Sequence, residues 1–300
     1  MNNPFPERVR TIGIAAPASR ADRSAYEASA ELLRSFGIRL VEGRHLFEPE
    51  GKGDDMPYLS ASDRERAEDL NELIGNPEID LILCLRGGYG SMRILDQIDW
   101  NTLRRRNLPL VGFSDITALH LAMSARRAGT PVAGQMAAAL ARSLQEESTF
   151  RAFRRALSVA LEGKRAFTEH CPLTAIREGR AAGELVPVNL TLLTALCGTA
   201  DLPDLSGKIL VLEEIGEPVR KVDRQLTQLH LAGILSKIAG LVFAQFTDCG
   251  EKELLLRLFR DSARFVSGPV LAGLPFGHEI PSLSFVYGER AEIRDGTLCF

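Results

Sequence analysis

Residues 108–122, LPLVGFSDITALHLA, carry an apolar run that breaks on Gly112-Phe113-Ser114-Asp115 and resumes at once with helical spacing. A buried strand turning straight into an amphipathic helix is the repeating unit of a mainly parallel α/β sheet. Its neighbours repeat the pattern. Residues 79–90 (IDLILCLRGGYG) pass from strand into a glycine loop, and residues 91–100 (SMRILDQIDW) read as the helix that follows. Further upstream, residues 9–19 (VRTIGIAAPAS) form a strand and loop, residues 24–37 (SAYEASAELLRSFG) a helix closed by Gly37, and residues 38–43 (IRLVEG) the next strand. Residues 60–77 begin with cap-type Ser and Asp before another helical stretch. The spacing predicts a doubly wound α/β domain over residues 1–140.

From residue 141 to 174 the sequence turns helical and charged (LQEESTFRAFRRALSVALEGK) with no strong strand, and is read as a crossover. Residues 175–300 then hold a helix at 190–198, a strand at 208–214 (KILVLEE), a helix from Val222, and shorter runs at 240–246, 268–274, 283–295 and 297–300. These last runs predict a mixed, partly antiparallel and barrel-like second domain. No internal repeat is present.

The composition narrows the function. The 300 residues are 45% hydrophobic and 25% charged, which excludes a disordered or fibrous chain, and the net charge of -3 is spread without a basic stripe for nucleic acid. The amino terminus has charges and prolines where a signal segment needs an apolar core, and no run reaches membrane-spanning length, so a soluble cytoplasmic protein is expected. The five cysteines are scattered without CxxC spacing and read as reduced core thiols. The histidines lack ligand spacing, so neither metal nor cofactor is expected.

Ser114 stands at the strand-to-helix turn, where a nucleophile elbow lifts a hydroxyl to a helix N-terminus and the N–H of Asp115 can face an oxyanion. The same residues would also cap the helix, and the second glycine of a G-x-S-x-G elbow is replaced by Ile116. A nucleophilic serine needs a histidine base held by a carboxylate. Of the five histidines, His120 and His230 lie in amphipathic helices, His45 in a polar segment and His170 in the crossover. His278 sits in a Gly/Pro-rich loop between strands, residues 273–285 (GLPFGHEIPSLSF), where working side chains are displayed. Strand 208–214 ends in Glu213 and Glu214, and period-two alternation lets only one of them face the histidine. Arg220, Lys221 and Arg224 offer ion pairs to Glu214 and Glu217.

Together the segments TIGIAAPAS, LRGGYGSMRIL, VGFSDITALH, NLTLLTALCGT, ILVLEEIGEPVRKVDRQLTQL, FAQFTDC and GLPFGHE resemble, in order and spacing, the LD-carboxypeptidases, serine peptidases that remove a terminal D-amino acid from murein peptides. The resemblance implies a Rossmann-like or flavodoxin-like domain followed by a β-rich one, with the site between them, often in a homodimer. It places the catalytic Ser, Glu and His on Ser114, Glu213 and His278. On this reading the N–H of Asp115 and one from the 86–89 loop, assigned to Gly88, hold the oxyanion. Arg86 receives the substrate carboxylate, beside Gly87 and Tyr89, with Arg220 and Arg224 as alternatives. The chain departs from the family at Gly134-Gln135-Met136, at Pro187-Val188 and at Val219-Arg220, which leaves the accepted peptide open. Two rival readings remain: a hydrolase of peptide-nucleotide antibiotics of the microcin C type, using the same triad, and a non-catalytic nucleotide-binding module that grips phosphate with LRGGYG.

Overall fold

The computed structural model describes residues 2–47, 56–164 and 168–300, so residues 165–167 of the predicted crossover lie outside it. Strands β1 (Thr11–Ala15), β2 (Arg39–Glu42), β3 (Leu81–Cys84), β4 (Pro109–Gly112) and β5 (Thr130–Ala133) pair in parallel in the order β2-β1-β3-β4-β5. This is the flavodoxin-like order. Apart from the edge strand β2, the strands read as apolar runs because both faces are covered. Ile12, Ile14, Leu81, Leu83, Val111 and Val132 face helices α1 (Arg23–Ser35) and, further along the chain, α6 (Glu147–Glu162). Ile82, Cys84, Leu110 and Ala133 face α2 (Asp63–Gly75), α3 (Trp100–Arg106) and α4 (Thr117–Arg126). The cap expected near residue 62 is a complete capping box: Ser62 Oγ accepts from the Glu65 N–H at 3.2 Å and the Glu65 carboxylate accepts from the Ser62 N–H at 3.1 Å.

The second sheet has the order β6-β14-β13-β8-β9-β10-β11-β7. Its strands are β6 (His170–Pro172), β7 (Thr174–Arg177), β8 (Ala181–Asn189), β9 (Ile209–Ile215), β10 (Gly240–Thr247), β11 (Val270–Ala272), β13 (Arg290–Arg294) and β14 (Thr297–Cys299). β8 to β11 are parallel and the rest antiparallel. β6 and β7 form opposite edges, yet only Leu173 separates them in the chain. A sheet whose two edges are chain neighbours must curl until they nearly meet, and the result is a nearly closed barrel. Helices α7 (Leu190–Ala195), α8 (Val219–Leu231) and α9 (Lys252–Ala263) pack on it. Among the described residues, no helix is long and apolar enough to cross a membrane.

Three local readings are corrected. Residues 91–100 do not form one helix: Ser91–Gln97 wind as a 3₁₀ segment and α3 begins at Trp100. The N–H of Ser91 donates to the Asp115 carboxylate at 2.8 Å and its Oγ to the Asp115 carbonyl at 2.5 Å, which anchors the start of the segment. Phe285–Val286 (β12) leaves the second half to pair antiparallel with β5 at the edge of the first sheet. Cys171, Cys197 and Cys299 are half-buried rather than core residues.

Helix α6, within the stretch read as a crossover, therefore covers a face of the first sheet. It is locked to the second half by an ion pair between two buried side chains, Arg155 and Glu289, with the guanidinium 4.6 Å from the centroid of the Phe300 ring. Removing one partner of such a pair takes the ion pair away from the buried charge that remains. Glu289→Leu alone is expected to cost about 3–5 kcal/mol in urea unfolding, and adding Arg155→Met to recover most of that loss.

Candidate active site

β4 is fully buried and ends at Gly112. Phe113 is extended, and Ser114 then takes φ +62, a left-handed backbone that costs a residue with a Cβ about 1–3 kcal/mol. One 3₁₀ turn, Ser114–Ile116, leads directly into α4. This is the geometry of a nucleophile elbow. Ile116, found where the second elbow glycine would stand, is buried and folds back on the strand: a Cβ at Gly112 would lie 2.9 Å from two of its carbons. The small residue is thus needed before the serine instead. The capping alternative is not observed, because no side chain caps α4 and the Asp115 carboxylate is turned onto Ser91. Burial raises the Asp115 carboxyl above the usual carboxylate range.

The loop after β3 lies against this elbow. A Cβ at Gly87 would sit 3.0 Å from Ser114 Cβ, 3.2 Å from its Oγ and 3.3 Å from the Asp115 nitrogen. Only a glycine leaves that space beside the hydroxyl open. Gly88 has φ +110 and is pressed on Ser19, whose Oγ also accepts the Tyr89 N–H at 2.9 Å. With the Tyr89 and Ser91 N–H groups both bonded inward, the loop lacks two of the donors that a phosphate cradle would use. The Tyr89 ring is half-exposed and packs edge-on to Tyr58.

His278 and Glu213 meet from different elements of the second half. Glu213 is fully buried near the end of β9, and its Oε2 lies 2.9 Å from His278 Nδ1, leaving Nε2 as the free ring nitrogen. The alternation along β9 resolves the carboxylate pair. Glu214, on the other face, accepts from Asn189 Nδ2 (3.0 Å), the Thr191 N–H (2.9 Å) and hydroxyl (2.7 Å), and the Ile215 N–H (2.9 Å). This corrects the expected surface ion pair for Glu214, while Glu217 does pair with Lys221 at 2.9 Å. The other histidines are engaged elsewhere. His120 is buried against the Leu110 carbonyl, with burial pulling it down to about 3. His230 stacks on Phe265, His45 bonds Asp69 and His170 faces Cys299.

The two halves touch at the site. The Phe113 ring lies 5.0 Å from the His278 ring, centroid to centroid, next to Ser114 in the chain. A cleft of about 370 Å³ opens there, lined by Asp22, Arg86, Phe113, Gln135, Met136 and His278 among others. Its first-domain residues follow the carboxyl ends of β1, β3, β4 and β5, where ligands bind in sheets of this kind. Arg86 reaches it while donating to the Arg20 carbonyl at 3.0 Å. Arg220 and Arg224 are exposed on α8 and do not line it. Of the departures noted in the sequence, Gln135 and Met136 are in the cleft wall, whereas Pro187 and Val188 are buried in β8. Arg142 also lines the cleft and was missed; as one Arg in a charged, helical stretch it carried no local signal.

Comparison with known proteins agrees with this architecture. Residues 12–134 match the model of the LD-carboxypeptidase N-terminal domain and residues 182–293 that of the C-terminal domain. The murein tetrapeptide carboxypeptidase of Pseudomonas aeruginosa is 32% identical over 96% of this chain and 94% of its own. The microcin C7 self-immunity protein of Escherichia coli is 25% identical over 94% of this chain and 90% of its own. The crystal structure of muramoyltetrapeptide carboxypeptidase from Oxalobacter formigenes superposes with a TM-score of 0.83 at 26% identity, covering 96% of this chain and 97% of that one. With both domain models matched in order across most of its length, the chain belongs to the LD-carboxypeptidase family.

Proposed function

We propose that the protein is a serine carboxypeptidase that cleaves the amide joining an L-centre to the terminal D-alanine of a murein tetrapeptide. The observations that support this reading are the strained Ser114 elbow, whose neighbour Phe113 packs on the His278 ring, and the bond from His278 to the buried Glu213. Ser114 Oγ attacks the carbonyl carbon, and His278 Nε2 takes the hydroxyl proton and returns it to the departing amine of D-alanine. Glu213 fixes the Nδ1–H tautomer and stabilises the imidazolium. The N–H groups of Asp115 and Gly88 hold the oxyanion. Water then attacks the acyl-enzyme by the reverse proton route. Arg86 and Arg142 supply cations for the free carboxylates of an acidic peptide, and Asp22 an anion for an ammonium group. Among the described cleft residues, Phe113 is the one aromatic carbocycle, and it already packs on His278, which favours a peptide over a stacked nucleobase.

The first test is D-alanine release from murein tetrapeptide, followed by mass spectrometry. Wild type is expected to release it and Ser114→Ala to lose at least about 10³-fold in kcat; equal release by both would refute the nucleophile. Ser114→Gly should be equally inactive yet about 1 kcal/mol more stable to urea than Ser114→Ala, because glycine alone is at ease at this φ.

Glu213→Gln retains a hydrogen-bonding side chain but not the charge, and its kcat should fall on the order of 10³–10⁴-fold at nearly unchanged KM. Gly87→Ala places a methyl group beside Oγ and the Asp115 N–H, and steady-state kinetics should show a loss of about 10²-fold or more in kcat with the fold intact by circular dichroism.

A further inference from the structure

β9 and β10 pair regularly from Ile209↔Gly240 to Leu212↔Phe243, and pairing resumes at Glu214↔Phe246. Ala244 and Gln245 therefore stand opposite the single residue Glu213, in a bulge. Bulges beside active sites re-aim a side chain. Here the polar residue of the apolar run GLVFAQF is turned onto the loop that carries His278. Gln245 Nε2 donates to the carbonyls of Glu279 (3.2 Å) and Pro281 (3.0 Å), and its Oε1 accepts the Glu279 N–H at 2.8 Å. Its own backbone N–H donates to the Phe276 carbonyl at 3.0 Å. A Cβ at Gly277 would lie 2.9 Å from both Gln245 Cβ and Oε1 and 3.4 Å from Glu213 Oε2, so the loop lies flat on this side chain.

We infer that Gln245 is a positioning residue for His278: its amide acts as an added peptide unit of β10, bracing residues 276–281 so that Nδ1 stays on Glu213. The inference rests on His278 acting as the base for Ser114. Gln245 does not line the cleft of Arg86 and His278. It faces a separate cavity of about 570 Å³ with Phe246, Phe259 and Glu279, so its loss acts through the base and not through substrate contact.

The experiment uses Gln245→Met, which keeps the length and volume but removes every polar contact of the side chain, and Gln245→Glu, which keeps the acceptor and loses both donors. Two rates are read on folded protein, checked by thermal unfolding: D-alanine release, and covalent labelling of Ser114 by a fluorophosphonate, in which Oγ displaces fluoride from phosphorus as His278 takes its proton. A misplaced base costs about 10²-fold. The expected result is a loss of that order in kcat and labelling rate for Gln245→Met, a loss at least as large for Gln245→Glu, whose second carboxylate oxygen meets the Glu279 and Pro281 carbonyls, and KM within about twofold of wild type. Labelling of Gln245→Met at the wild-type rate would overturn the inference. Labelled wild type without D-alanine release would dismiss the proposed substrate while leaving the labelling comparison to decide on Gln245; unlabelled wild type would remove the base and the inference with it.

Discussion

A serine at φ +62 is a backbone that the chain does not adopt unaided, and the site depends on what holds it there. Three restraints converge. Ile116 packs back on Gly112, so the strand and the helix cannot separate. The side chain and carbonyl of Asp115 are both bonded to Ser91. Thr117 Oγ1 accepts the Asn189 N–H at 3.2 Å, and Asn189 belongs to the second sheet. The strain is therefore sustained by both halves of the molecule, which ties the Ser114 hydroxyl to correct docking of the two sheets.

The third restraint continues toward the acid. Asn189 Nδ2 donates to Glu214, and Glu214 also accepts the Thr191 N–H in the first turn of α7. Burial raises the Glu214 carboxyl above its ordinary range even with these donors around it. One peptide further back, the alternation of β9 turns Glu213 to the opposite face, where it meets His278. The neighbouring carboxylates thus divide two tasks. Glu214 fastens β8, α7 and β9 into one frame, and Glu213 is left to the imidazole. Register alone separates them, because a shift by one residue would exchange their faces.

Much of this was legible in sequence because it depends on local period and on punctuation. The βα units of the first sheet follow from apolar runs closed by Gly37 or opened by Ser62, and the elbow from the strand that ends at Gly112. The family resemblance brought Ser114, Glu213 and His278 together across 164 residues of chain (278 minus 114), which spacing alone could not do. What stayed hidden is long-range. That α6 covers the first sheet, that Phe285–Val286 returns to its edge, and that Arg155 meets Glu289 depend on tertiary pairing with no local signature. The 3₁₀ course of Ser91–Gln97 has no signature in local spacing, and the bonds that anchor its first residue, Ser91, run to Asp115, 24 residues away.

In the proposed mechanism the elbow and the Glu213–His278 pair do work general to serine hydrolysis, which would serve a murein peptide or a peptide-nucleotide equally. Discrimination must then come from the cleft wall, which is built from loops at the carboxyl ends of the first sheet. The loop after β5 is fixed to the sheet through its backbone, the Ala137 and Ala138 N–H groups donating to the Cys84 and Leu85 carbonyls, so its side chains can change without unseating Ser114. Gln135 and Met136, where the chain departs from its relatives, lie in this wall beside Arg86, whereas Pro187 and Val188 lie in the frame of β8. A change in the frame alters packing, and a change in the wall alters what the serine is offered. By that argument, if the proposed mechanism holds, Arg86, Gln135, Met136 and Arg142, which line the same cleft as His278, are the positions where the preference for one peptide over another would be set.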